Sequence, residues 1–188
     1  MQTKEDRIID ASFQLFLRHG YRKVSMSDVA EAALMSRPSL YASFANKEAI
    51  FAELVRRQCE RNLAETTARL NHVRGLHERL SCVFDIWVIE PVASVIDSEN
   101  ATELLANCAE FAPQALADLY EQMEAQLVAV LSDYPTGGSS QAAKDTARIL
   151  RLAGSGIKSS TENLPELRRL VSGLISMAVA ASGTASSD

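Results

Sequence analysis

Only two residues, Leu34 and Met35, separate the last position of one helix, Ala33, from the cap of the next, Ser36. That short join limits the fold more than any other feature of the chain. The helix before it opens at Ser25, whose hydroxyl can cap the first turn while Asp28, three residues on, caps back. The helix after it begins Ser36-Arg37-Pro38-Ser39 and must end within about two turns, because Asn46 already caps another. A helix that short is marginal by itself in water, so its neighbours must hold it. Upstream, Thr3 to Gly20 carries both end signals of a complete helix. Thr3 and Asp6 make a capping-box pair, and Ile8, Ile9, Phe13, Leu15 and Phe16 give one apolar face. Gly20 then stands where a left-handed residue is wanted. Three helices so spaced have the anatomy of a helix-turn-helix, in which the second helix of the motif enters the DNA major groove.

Leu34 is the awkward residue of this motif. A leucine with φ > 0 costs on the order of 1–2 kcal/mol, so the expectation is a right-handed Leu34 and a slightly altered junction.

The rest of the chain also reads as helical, without strand alternation. Asn46 to about Asn71 forms one long helix carrying Ile50, Phe51, Leu54, Val55 and Leu63. Leu76 to Ile96 follows, with Pro91 expected to kink or split it. Then come Ala101 to Phe111, Pro113 to Tyr134, Gln141 to Ser159 and Pro165 to Ala181. Pro135-Thr136-Gly137-Gly138-Ser139-Ser140 is the clearest loop. The expected architecture is all-α with about nine helices. It comprises a three-helix DNA-binding domain over 1–50, a second helical domain over 51–181, and a disordered Ser/Ala/Gly tail over 182–188.

Net charge is −5, which on its face argues against nucleic acid. Its distribution argues otherwise: residues 1–58 hold nine Lys/Arg against seven Asp/Glu, and the remainder ten against seventeen. An acidic body repels a duplex and keeps it on the basic face. A single face with so little positive charge binds weakly, so two copies on one two-fold operator are expected. No 18-residue apolar run is present and the first residues are charged, so neither a membrane span nor a secretory signal is expected. Cys59, Cys82 and Cys108 are odd in number and widely spaced, which suits a reducing cytoplasm.

From Ile9-Asp10-Ala11 through Leu15-Phe16, Gly20-Tyr21, Ser25 to Ala33 and Ser36 to Phe51, the chain resembles the TetR-like (tetracycline-repressor) family of transcription regulators. The strongest piece is Leu40-Tyr41-Ala42-Ser43-Phe44 followed by Asn46-Lys47-Glu48-Ala49. Family members commonly carry glycine or another turn-tolerant residue where Leu34 stands. The resemblance covers roughly the first quarter of the chain. It implies a homodimeric, ligand-responsive repressor that binds a palindromic operator, with a helical effector and dimer domain behind the DNA reader.

The expected DNA contacts are Ser25, Arg37, Pro38, Ser39, Tyr41, Ser43, Asn46 and Lys47. Arg37 can be bidentate to guanine or simply hold a phosphate. Tyr41 and Ser43 match family positions that commonly touch phosphate; the alternative for Tyr41 is a core aromatic. Asn46 and Lys47 combine a helix N-terminus with a cation, against a solvated lysine as the plain reading. Ser25 is a cap, a phosphate contact, or both. For an apolar or amphipathic effector the candidates are Phe84, Trp87, Phe111, Tyr120 and Met123, with Glu90 and Glu110 to orient it; ordinary core and solvent-facing glutamates are the alternatives. The dimer candidates are Leu152, Gly156, Leu167, Leu170, Leu174, Ile175 and Ala178, on two helices that pair into a four-helix interface or pack only within the subunit.

Other function classes fit less well. An enzyme needs a chemical constellation, yet HExxH, GxSxG, a phosphate-binding glycine loop and a Glu-x-x-His pair are all missing. His19, His72 and His77 are too scattered for a metal site, and no cofactor is expected. A helical dimeric small-molecule-binding or interaction module without DNA binding explains the body but leaves the capped short helix without a purpose.

Overall fold

The computed structural model describes residues 3–134 and 140–184. All regular structure among them is helical. In chain order the α-helices are α1 (Lys4–His19), α2 (Met26–Ala32), α3 (Arg37–Tyr41), α4 (Lys47–Leu70), α5 (Leu76–Phe84) and α6 (Glu90–Ala93). They continue as α7 (Ala101–Ala106), α8 (Cys108–Phe111), α9 (Pro113–Ser132), α10 (Ser140–Ser160) and α11 (Leu164–Thr184). A 3-10 turn occupies Tyr21–Lys23, and a π turn, Asp85–Ile89, joins α5 to α6.

Among the described residues, eleven α-helical segments exceed the nine expected because two expected helices are interrupted. The expected helix carrying Pro91 is interrupted, ahead of the proline and not at it. The turn before it widens instead, with the Glu90 N–H bonded to the Asp85 carbonyl five residues back, so the helical path passes the residue that cannot donate. The stretch Ala101 to Phe111 breaks at Asn107, whose side-chain amide donates to the Glu103 carbonyl (2.8 Å) and competes with the ladder. α11 runs to Thr184, so the first three residues of the expected tail are helical. Residues 185–188 of that tail, and 135–139 of the expected loop, lie outside the described residues.

Contacts divide the chain into two units. The first takes the residues up to Cys59 together with Val95–Leu119, more chain than the expected 1–50 segment. Its core is built on Ile8, Phe16, Val29, Leu40 and Ile50, all fully buried, and an aromatic cluster of Phe16, Tyr21, Phe51 and Phe111. Gly20 is required here: its φ is +83°, and a Cβ would lie 2.9 Å from a Glu103 carboxylate oxygen. The second unit comprises Glu60–Ser94 and the chain from Tyr120 onward. In it α5 packs against α11, and α10 against α11. Leu80, Val83, Phe84, Met123, Leu127, Leu167 and Ile175 fill the centre. Gly154 lets α10 approach the Phe84 ring so closely that a Cβ would sit 2.6 Å from a ring carbon.

Candidate nucleic-acid interface

α2 starts as its sequence requires. The Asp28 N–H donates to the Ser25 hydroxyl oxygen (3.3 Å), and the Ser25 N–H donates to the Asp28 carboxylate (2.8 Å). The Ser25 hydroxyl proton also goes to that carboxylate (2.7 Å). These bonds from Ser25, backbone first, hold the Asp28 carboxyl below its ordinary range. Ser25 is therefore a cap whose hydroxyl is already engaged.

The junction after α2 corrects the expectation for Leu34. Its φ is +54°, the only positive value at a non-glycine among the described residues. The Leu34 N–H bonds the Glu31 carbonyl and the Met35 N–H bonds the Ala30 carbonyl, each at 3.0 Å. This is the Schellman pairing, which needs a left-handed residue at the position Leu34 holds. Two hydrogen bonds outweigh the leucine's steric cost. The Leu34 side chain is 88% exposed.

α3 is held by Ser36, whose hydroxyl oxygen accepts from the Ser39 N–H (3.4 Å), by Pro38 in its first turn, and by the fully buried Leu40. Phe44, four residues on from Leu40, is buried too. Arg37, Pro38 and Tyr41 are exposed, and Ser39 and Ser43 half-exposed. Tyr41, at 53% exposure, is not a core aromatic. Arg37 makes no salt bridge among the described residues, and neither do Arg18, His19 or Lys23.

At the start of α4 the Asn46 side-chain oxygen accepts from the Ala49 N–H (2.8 Å), so Asn46 is the cap and remains exposed. Lys47 does something the sequence did not suggest. Its ammonium donates to the carbonyls of Tyr21 (3.0 Å), Val24 (3.3 Å) and Arg22 (3.4 Å), and sits 4.5 Å from the Tyr21 ring centre. All three of its donors serve the turn ahead of α2, and its side chain is half-buried.

Three further ties within this unit escaped the sequence reading. The Lys4 ammonium donates to the Ser39 carbonyl of α3 (2.6 Å). Arg57 on α4 pairs with Asp6 on α1 (2.6 Å). Arg22 makes a two-pronged pair with Glu110 (2.8 and 2.7 Å), beside a Tyr21–Phe111 stack with ring centres 3.8 Å apart. These contacts span 35, 51 and 88 residues, respectively, and no local pattern announces them.

The effector candidates separate. Phe84, Trp87 and Met123 are buried in the second unit, where the Trp87 indole N–H donates to the Thr66 hydroxyl (2.8 Å) and Tyr120 lies under the Arg151 guanidinium (5.3 Å). Phe111 belongs to the first unit's aromatic cluster, its ring face taken by Tyr21. Neither candidate glutamate is simply solvent-facing: Glu110 pairs with Arg22, and Glu90 with Arg69 (2.5 Å). Of the dimer candidates, Leu167 and Ile175 are 98% buried within their own subunit's core and leave almost no surface for a partner. Leu170, Leu174 and Ala178 are half-buried, while Leu152 and Gly156 are exposed, Gly156 with open space around its Cα. Ile149 and Met177 add exposed apolar surface on the same two helices. Burial raises the Cys82 thiol pKa, and Cys59 is buried too. Among the described residues no three His, Cys, Asp or Glu side chains are grouped to hold a metal ion, and no helix is long and apolar enough to cross a membrane.

Residues 8–54 match the family described as bacterial regulatory proteins, tetR family. The chain is similar to the HTH-type transcriptional repressor ComR of Escherichia coli (strain K12), 38% identical over 65 residues, which cover 35% of this chain and 31% of that one. It is also similar to a probable acrEF/envCD operon repressor of the same organism, 28% identical over 123 residues, or 63% of this chain and 53% of that one. The chain thus spans from 31% to 53% of the length of these relatives. In fold it is similar to a transcriptional regulator from Rhodococcus sp. Rha1, with a TM-score of 0.74 at 18% identity, covering 95% of this chain and 97% of that one.

Proposed function

We propose that this chain, whose residues 8–54 match the tetR family of bacterial regulatory proteins, is a ligand-responsive regulator, a repressor, that binds a palindromic operator as a homodimer. The observation that carries the reading is α3. It is a five-residue helix buried on one side through Leu40, and it presents Arg37, Pro38 and Tyr41 outward from a capped helix-turn-helix. Arg37 is the base or phosphate reader. Pro38, Ser39 and Tyr41 share its helix, Ser43 follows just beyond it, and Ser25 and Asn46 place two helix N-termini toward the phosphates. Lys47 acts indirectly, by fixing the turn from which α2 starts.

The second unit is the effector and dimer domain. Its small apolar or amphipathic ligand is recognised around Phe84, Trp87, Tyr120 and Met123. A ligand with different affinity for two states shifts α4, the 24-residue helix tied to α1 through Arg57 and to the segment after α5 through Arg69, and so changes the separation of the two recognition helices. The site of action is the cytoplasm, where the operator is.

Selection of random duplexes by the purified protein at two salt concentrations tests this. A palindrome recovered with steep salt dependence supports the reading, and no enrichment at either salt counts against it. Arg37→Ala then separates its two roles. As a base reader it costs about 1–3 kcal/mol and relaxes one operator position; as a phosphate contact it weakens all sequences alike and lowers the salt slope by about one.

A further inference from the structure

We propose that Lys4 is a positioning residue for the recognition helix, a role that rests on reading α3 as the DNA-contacting element. The need arises from the way α3 ends. The Ala42 N–H bonds the Pro38 carbonyl, but the N–H groups of both Ser43 and Phe44 turn to the Leu40 carbonyl. The Ser39 carbonyl is left without a backbone donor, in the last turn of a helix of only five residues. The Lys4 ammonium reaches it at 2.6 Å, from 35 residues away. A cation on an orphan carbonyl near a helix C-terminus is favourable both as a hydrogen bond and toward the helix dipole.

Lys4 can serve as a tether because its own backbone is fixed. It is the first residue of α1, and the Thr3 N–H before it donates to the Asp6 carboxylate (2.7 Å). Asp6 in turn pairs with Arg57 on α4. One helical turn therefore holds α3 by Lys4 and α4 by Asp6. With its ammonium spent on a carbonyl and its side chain half-buried, Lys4 sets the pose of Arg37 and Tyr41 without itself neutralising a phosphate.

The test compares the full-length wild type with Lys4→Met and Lys4→Arg, using the palindromic duplex recovered by selection as the probe. Lys4→Met is expected to bind about tenfold more weakly, at the scale of one lost hydrogen bond. The slope of log affinity against log salt should stay unchanged, and Lys4→Arg, which keeps a cationic donor, should recover most of the loss. In the DNA-free protein, amide hydrogen exchange at Leu40 and Tyr41 should quicken in Lys4→Met while α9 stays as protected as before. A salt slope lower by about one would make Lys4 a phosphate contact and overturn the proposal. Unchanged affinity and exchange would overturn it as well. If Lys4→Met does not fold, Lys4→Gln takes its place. If no duplex is selected even by the wild type, the DNA-binding reading fails, while exchange at Leu40 and Tyr41 still decides whether the tie exists.

Discussion

Leu34 sits at φ +54°, where a β-carbon crowds the following carbonyl and glycine is at home. The strain is about 1–2 kcal/mol, and glycine's extra freedom in the unfolded chain returns about half of that. Because the side chain is 88% exposed, removing it sacrifices little burial. Leu34→Gly should therefore stabilise the protein by about 0.5–1 kcal/mol, and Leu34→Val, whose branched carbon tolerates this conformation worst, should destabilise it by a similar amount. Urea unfolding followed by circular dichroism checks both signs; a destabilised Leu34→Gly would mean that the leucine side chain has a partner in solution. The two-residue gap was visible in the sequence, but the conformation inside it was not. Residue identity argued against a left-handed leucine, and the two junction hydrogen bonds, which depend on where Glu31 and Ala30 end α2, decided the matter.

At the scale of the element, the first turn of α1 links a local signal to a distant consequence. Bonds from the Thr3 backbone and hydroxyl, then the Arg57 guanidinium, hold the Asp6 carboxyl at about 2, well below the usual carboxylate range. A carboxyl held down in the folded state contributes stability above its free value, near 3.9, and loses that contribution as pH falls toward 2. The α1 N-terminus and its tie to α4 should thus loosen between about pH 4 and pH 2. Asp6→Asn should flatten that part of the stability curve while leaving the protein less stable than wild type at pH 7, as read by thermal melts across pH. Both capping boxes, Thr3–Asp6 and Ser25–Asp28, were legible in the sequence because they close within three residues. The same carboxylate's bond to Arg57 was not, because it depends on how α1 and α4 cross. The π turn before Pro91 and the break at Asn107 were hidden for a related reason: both are choices between competing local hydrogen bonds that apolar periodicity does not record.

At the scale of the whole molecule, the charge halves and the apolar stripes of α10 and α11 both argue for two copies acting together. The sequence placed the stripes but could not say which side of each helix its own core would claim. Packing answers part of that: Leu167 and Ile175 face inward, while Ile149, Leu152 and Met177 stay exposed, with open space at Gly156 and Gly173. Exposed apolar residues interleaved with glycines on two adjacent helices form a surface that another copy can approach closely. The two sets of residues should therefore respond differently to substitution. Leu152→Glu combined with Met177→Glu should give folded monomers with weak operator affinity, because a charge on the outer face costs association and not folding. Leu167→Ala should instead cost about 2–5 kcal/mol of stability through the cavity it leaves, with the oligomeric state of the remaining folded protein unchanged. Sedimentation velocity beside denaturant unfolding distinguishes them. A dimer that survives both outer-face glutamates would move the interface off α10 and α11. A monomer produced by Leu167→Ala without loss of stability would mean that Leu167 turns outward when two subunits meet.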